Sequence, residues 1–205
     1  MNVYDFDGTI YNGDSTIDFF LYALKRHPSV LRYLPKQTWG FVLYGLKQID
    51  KTKLKESFFG FLPAVNAEAL AESFWNENQD KIFDWYRKQQ KPEDIIISAS
   101  PKFLLQPICN RLGVSRLIAS EVNPKTGMFA GENCRGQQKV LRLESEYRVT
   151  HIDCFYSDSH SDLPLARIAD KAFLVKKGVV TKWNADCIHH NNHKKMCDKI
   201  GRAHV

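Results

Sequence analysis

No uninterrupted apolar run in this 205-residue chain approaches the roughly 18–20 residues a membrane-spanning helix needs, so a bilayer span is not expected. The opening residues enter a strand pattern at once rather than a leader. Cysteine is sparse and unpaired in pattern: Cys109, Cys134, Cys154, Cys187 and Cys197 are odd in number, scattered, and include no C-x-x-C. That argues against a disulfide framework and for reduced thiols, hence a cytoplasmic protein. No internal repeat, low-complexity stretch, zinc-finger, helix-turn-helix or RNP signature is present. Nucleic acid is therefore not an expected partner, although the net charge of +6 suits anionic small molecules or an anionic membrane surface.

What is present fits an ordinary globular chain: 43% hydrophobic and 25% charged, one domain or one domain with an insert. The stretch that organises it is Val3-Tyr4-Asp5-Phe6-Asp7-Gly8-Thr9. A short β-prone run leads into two carboxylates at i and i+2, which in extended backbone face one side. Gly8 lets the chain turn and approach a ligand closely. Two carboxylates held together repel, and a cation or a shared proton must relieve them.

Residues 15 to 89 read as all-helical. Helices are expected over 16–27, 30–34, 38–48, 51–62 and 66–90, with Pro28, Pro35 and Pro63 as punctuation. The segment is rich in aromatic and basic residues. Phe19, Phe20, Trp39, Phe41, Tyr44, Phe58, Phe59 and Phe61 would suit an acyl chain with an anionic head group, but aromatic stripes at helical spacing are expected to form the segment's own core.

After Pro92 the pattern alternates. Strands are expected over 94–97, 117–122, 152–156 and 172–175, a return strand over 128–130, and helices over 102–112, 137–147 and 163–169. This gives an α/β fold: a Rossmann-like, doubly wound parallel sheet with an inserted all-helical cap. The expected division is 1–14 and 90–183 for the core and 15–89 for the cap. The stretch 184–205 reads as a disordered or non-native tail, and its last residues, Ile200–Val205, equal the in-frame translation of a common sequencing-library adapter. Cys187, His189, His190, His193 and Cys197 in that tail match no zinc-finger spacing.

In such a sheet ligands bind beyond the carboxyl ends of the strands. Three strand ends carry chemistry there: Asp5; Ser98-Ala99-Ser100; and Ser157-Asp158-Ser159-His160-Ser161-Asp162. Lys139 stands at a helix start, where free N–H groups favour an anion. Aspartates, a lysine and hydroxyls on one rim suit a phosphate ester with Mg²⁺, a hard cation that takes carboxylate and phosphate oxygens and would neutralise the Asp5/Asp158 pair. Ser98 is preferred to Ser100 as the phosphate-binding hydroxyl because it directly follows the expected strand. His160 reads as a loop residue.

The ordered set Asp5-Phe6-Asp7-Gly8-Thr9, Ser98, Lys139 and Asp158-x-x-x-Asp162 resembles the haloacid dehalogenase (HAD) superfamily of phosphotransferases. The helical insert after the first motif resembles the cap of its phosphoserine phosphatase-like subfamily (type IB). The resemblance implies that Asp5 is the nucleophile, forming an aspartyl-phosphate, and that Asp7 is the general acid and base. Ser98 and Lys139, with Gly8, Thr9 and Ala99, would bind the phosphoryl group. Asp5, Asp7 (through its backbone carbonyl) and Asp158 would hold Mg²⁺, with Asp162 behind them orienting Asp158 or Lys139. The substrate would be a soluble or lipid phosphomonoester, hydrolysed by water or passed to another acceptor. Ser157-Asp158-Ser159 departs from the Gly-Asp-Gly usual in phosphoserine phosphatases. Ser98-Ala99-Ser100-Pro101, Leu117-Ile118-Ala119-Ser120, and Tyr156-Ser157-Asp158-Ser159 followed by Asp162-Leu163-Pro164-Leu165 look more like subfamily members that include bacterial phosphatidylglycerophosphatases, which act on a lipid phosphate at the membrane.

Overall fold

The computed structural model describes residues 1–184; the cysteines and histidines singled out in the tail, and Ile200–Val205, lie outside them. In chain order the elements are β1 (Asn2–Tyr4), α1 (Ser15–Arg26), α2 (Leu34–Gly45), α3 (Lys51–Phe58), α4 (Ala67–Asn78), α5 (Asp84–Gln89), β2 (Ile95–Pro101), α6 (Lys102–Arg111), β3 (Arg116–Ser120), α7 (Gln137–Tyr147), β4 (Ile152–Ser157), α8 (Leu163–Ala166), β5 (Ala169–Lys176) and β6 (Val179–Lys182). The strands form one sheet in the order β3-β2-β1-β4-β5-β6. All pairings are parallel except the last, β5 with β6. β1 is central, so the two strands whose ends carry the other motifs flank it directly.

Both faces of the sheet are covered, which is why its strands read as nearly unbroken apolar runs. Alternation sorts the side chains. Val3, Ile95, Ile97, Ile118 and Phe155 face one layer, with Leu143 of α7 and Leu165 of α8. Tyr4, Ile96, Leu117, Ala119 and Tyr156 face the other, with α6 and the helices inserted between β1 and β2. On that second face Tyr4, Tyr156 and Phe173 stack across three neighbouring strands at centroid spacings of 4.8 Å. The same apolar cluster continues through Phe19, Phe74 and Trp75, so α1 and α4 share a core with the sheet. Trp75 is wholly buried, and its Nε1 donates to the carbonyl of Leu104 in α6 at 2.6 Å. Burial of a large side chain of this kind contributes about 2–3 kcal/mol.

Local chemistry explains the helix starts. Asp14 Oδ1 accepts from the N–H groups of Thr16 and Ile17, Asp50 caps α3 through Lys53 N–H, and Asn66 caps α4 through Ala69 N–H.

Five expectations need correction. Pro35 does not break the second helix but sits in its first turn, where a missing N–H costs nothing. The helix expected over 66–90 is two helices, because the backbone around Ile82 pairs with the loop after Asp7: Asn12 N–H donates to Lys81 C=O and Phe83 N–H to Ile10 C=O, each at 2.9 Å. The return strand over 128–130 is a single bridge, Val122 with Phe129. Ser98 lies within β2 rather than after it, next to a register shift between Ser98 and Pro101. The aromatic residues divide: Phe19, Phe20, Phe59 and Phe61 are core, with Phe58 packed against it, whereas Trp39, Phe41 and Tyr44 of α2 are exposed. α2 meets α3 along one line, where Gln37 Nε2 donates to Phe58 C=O and a side chain at Gly40 would collide with Ser57. Nothing among the described residues covers its other face.

Candidate active site

The site forms where β1 stops. Asp5 N–H still donates to Tyr156 C=O at 2.9 Å, extending the ladder by one residue, and the chain then turns through Gly8 at φ +71°. A Cβ at Gly8 would stand 2.8 Å from Asp158 Cγ. Glycine is required there both for the left-handed backbone and for the close approach of the Asp158 carboxylate.

Asp5 is almost fully buried. Its Oδ1 accepts from Lys139 Nζ at 2.6 Å and its Oδ2 from Thr9 Oγ1 at 3.4 Å. Thr9 Oγ1 in turn accepts from the backbone N–H of Asp158 at 2.8 Å, so one hydroxyl joins the ends of β1 and β4. Lys139 Nζ also donates to Asp162 Oδ2 at 2.7 Å, and Ser157 Oγ donates to that same oxygen at 2.9 Å. The second oxygen of Asp162 is buried without a partner. Asp162 thus shares the lysine ammonium with Asp5.

Asp7 faces the other side of the turn. Its Oδ1 accepts from Ser15 N–H at 2.7 Å, at the start of α1, and its Oδ2 from Ser100 Oγ at 2.5 Å. Ser98 Oγ lies farther from Asp7 Oδ2, at 3.5 Å, and accepts from Ser100 N–H at 3.0 Å. The two serines are thus coupled, with Ser100 the nearer to Asp7. His160 turns aside, edge-on to Trp183 at 5.4 Å.

Two of the four carboxyl groups, Asp5 and Asp162, share the Lys139 ammonium. Burial raises the Asp5 carboxyl, with Lys139 opposing and Asp162 adding to the rise. Burial, with Asp14, raises Asp7 against the Ser100 and Ser15 hydrogen bonds. Asp158, at the solvent edge, is pushed up to about 6 by its partial burial and by Asp162. Lys139 is held charged: Asp5 and Asp162 outweigh the burial that disfavours its ammonium.

Among the described residues no three His, Cys, Asp or Glu side chains stand together as a ready metal cluster. The expected Mg²⁺ set needs only two side chains, Asp5 and Asp158, with the Asp7 carbonyl as third donor. These are hard oxygen donors. Among the described residues Asp158 forms no ion pair, and Asp5, Asp7 and Asp158 are all raised, chiefly by burial, so a small divalent cation fits these residues.

Sequence reading missed one contributor. Lys55 of α3 reaches across to donate to Ala99 C=O at 2.6 Å and to Asn133 Oδ1 at 3.0 Å. Burial, with Lys51 and Arg135 nearby, lowers its ammonium to about 8. Beside it an open cleft of about 660 Å³ is lined by Asp50, Lys51 and Thr52 on one side and by Asn133, Arg135 and Ser161 on the other. No local signal marks Lys55: its partners are distant in the chain. A second cleft, about 590 Å³ between α4 and α6, contains none of the residues above.

A family model for haloacid dehalogenase-like hydrolases matches residues 3–167, the span that carries all of these groups. The chain belongs to that family. This hydrolase is 25% identical over 197 residues to Protein CicA of Caulobacter vibrioides (strain NA1000 / CB15N), a match covering 85% of this chain and 86% of CicA. Among solved structures, a protein of unknown function from Bordetella pertussis Tohama I superposes with a TM-score of 0.68 at 19% identity, over 84% of this chain and 87% of that one. A phosphoserine phosphohydrolase-like protein from Francisella tularensis subsp. tularensis SCHU S4 does so with a TM-score of 0.50 at 18% identity, over 83% and 84% of the two chains. These structural likenesses concern the fold.

Proposed function

We propose that this hydrolase is a Mg²⁺-dependent phosphomonoesterase of the phosphoserine phosphatase-like subfamily (type IB), working through an aspartyl-phosphate. The observation that carries the reading is the setting of Asp5: one oxygen on Lys139, the other on Thr9, and Thr9 on the backbone of Asp158.

Asp5 attacks phosphorus through a carboxylate oxygen. The bond to the leaving alcohol breaks as Asp7 gives that oxygen its proton, a role its raised carboxyl suits. Water then loses its proton to Asp7 and attacks the same phosphorus. The bond to Asp5 breaks, inorganic phosphate leaves, and the carboxylate is restored. Lys139 and the Ser98 hydroxyl, with the backbone of Gly8 and Ala99 and the hydroxyl of Thr9, stabilise the charge on the transferring oxygens. Asp162 keeps Lys139 in place. Asp5, the Asp7 carbonyl and Asp158 would hold Mg²⁺, which supplies positive charge between the anionic nucleophile and the anionic phosphate.

The test is phosphate release from p-nitrophenyl phosphate with and without Mg²⁺, in the wild-type chain and in Asp5→Asn. Release that depends on Mg²⁺ and disappears in the variant supports the reading. Activity surviving Asp5→Asn at close to the wild-type rate would overturn the nucleophile assignment.

A further inference from the structure

The exposed face of α2 has no role in the chemistry above. Trp39 is 62% exposed, Phe41 55% and Leu46 62%, with Leu31, Val42 and Tyr44 also open to solvent. Trp39, Val42 and Leu46 recur at i, i+3 and i+7, one side of a helix. The opposite side is committed to α3 through Gln37 and Gly40. An exposed cluster of large apolar side chains on a surface helix marks a contact site.

Charge identifies the partner. From Phe19 to Ile49 the sequence contains no Asp or Glu, while Lys25, Arg26, Arg32, Lys36 and Lys47 fall within it. Arg26 is paired with Glu77; among the described residues no carboxylate pairs with the other four. A second copy docking face to face would bring two such cationic segments together. An anionic bilayer satisfies both features at once, since its interface takes aromatic and aliphatic side chains and its head groups attract the surrounding lysines and arginines. No described helix is long and apolar enough to cross the bilayer, so contact would be peripheral.

We propose that α2 and its flanks dock this protein on an anionic membrane surface. The chain runs directly from Leu46 to Asp50, Lys51 and Thr52, which line the cleft beside the site. Docking would therefore set the cleft's entrance near the head groups, within reach of phosphate esters carried on lipid. The docking itself does not rest on the phosphomonoesterase reading, because it is measured without turnover.

The experiment is co-sedimentation of the full chain, at low salt, with vesicles of phosphatidylglycerol and phosphatidylcholine and with vesicles of phosphatidylcholine alone. Trp39 emission is followed in parallel, since Trp75 and Trp183 are buried and Trp85 half-buried. Expected are binding to the anionic vesicles only, loss of binding at high salt, a blue shift of the emission, and its quenching by brominated acyl chains. The double variant Trp39→Gln/Leu46→Gln should bind at least tenfold more weakly with an unchanged thermal melt, and Lys36→Glu/Lys47→Glu should weaken binding without touching the apolar face. No sedimentation of the wild-type chain with anionic vesicles would overturn the proposal. So would equal binding to neutral vesicles, or a concentration-dependent dimer that the Trp39/Leu46 variant disperses.

Discussion

Asp5 and Asp158, at the ends of neighbouring strands, are joined through one hydroxyl: Thr9 Oγ1 donates to the Asp5 carboxylate and accepts the backbone N–H of Asp158. The arrangement ties the Asp158 backbone to the Asp5 side of the turn while leaving the Asp158 carboxylate free of any ion pair among the described residues. Lys139 is shared by Asp5 and Asp162, and with Asp7 and Asp158 nearby the carboxyl groups outnumber that ammonium, a condition a divalent cation relieves.

The burial of these carboxyls, with their mutual repulsion adding to it, fixes a pH dependence. A carboxyl raised by folding keeps a proton that the unfolded chain has released. The resulting stability is complete below the ordinary carboxylate pKa and is lost as pH rises through the folded value. For Asp158 that window runs from 3.8 to about 6, and the rises at Asp5 and Asp7 act in the same sense. The metal-free Tm is expected to fall as pH increases across this range. Added Mg²⁺ should restore it, with a larger gain at neutral pH than at the acid end. A Mg²⁺ effect that is absent, or equal at both ends, would contradict the assignment of these carboxylates to the metal.

Gly8 and Gly113 share a φ of +71° but differ in surroundings: a Cβ at Gly113 meets nothing within 4 Å, whereas one at Gly8 meets the Asp158 carboxylate. Gly113→Ala should therefore report backbone strain alone, about 1–2 kcal/mol, with kcat unchanged. Gly8→Ala should add displacement of Asp158, lowering kcat more than about tenfold and weakening Mg²⁺ dependence. Thermal melts and Mg²⁺ titrations of activity separate the two, and equal kcat in both variants would count against a working role for Asp158.

Ser98 and Ser100 separate by pH profile. The Ser100 hydroxyl donates to Asp7 and lowers its carboxyl against the larger effect of burial. Ser100→Ala should raise Asp7 further, so that its protonated form persists to higher pH and the alkaline limb of kcat/KM moves upward. Ser98→Ala should lower kcat/KM by about 10²-fold with the profile in place. A downward shift in Ser100→Ala would refute the Asp7 acid/base role.

What could be read from the sequence was local. Asp5 and Asp7 announce themselves by alternation at a strand end, Asp158 and Asp162 by a hydroxyl-rich turn after an apolar strand, Lys139 by its place at a helix start. Their convergence follows once the parallel sheet is inferred, because β1 must lie beside the strands that carry the other groups. What escaped was set by distant partners. Lys55 looks like any other surface lysine until α3 packs it against Ala99 and Asn133. The break at residues 79–83 exists because that backbone pairs with the loop after Asp7. Phe61 and Phe41 carry the same side chain, yet Phe61 is buried against Phe19 and Phe20 while Phe41 on α2 is open to solvent. Ser100's contact with Asp7 depends on the irregular end of β2, which apolar pattern does not show.

In the proposed mechanism Asp5 carries the phosphoryl group during turnover. The direct measurement is acid quenching of the Mg²⁺-loaded chain during turnover of a labelled phosphate ester, followed by proteolysis and mass spectrometry. The result expected is a labile acyl-phosphate on the peptide containing Asp5, absent in Asp5→Asn. Turnover with no phosphorylated aspartate, or with the label on Asp7 or Asp158 instead, would contradict it.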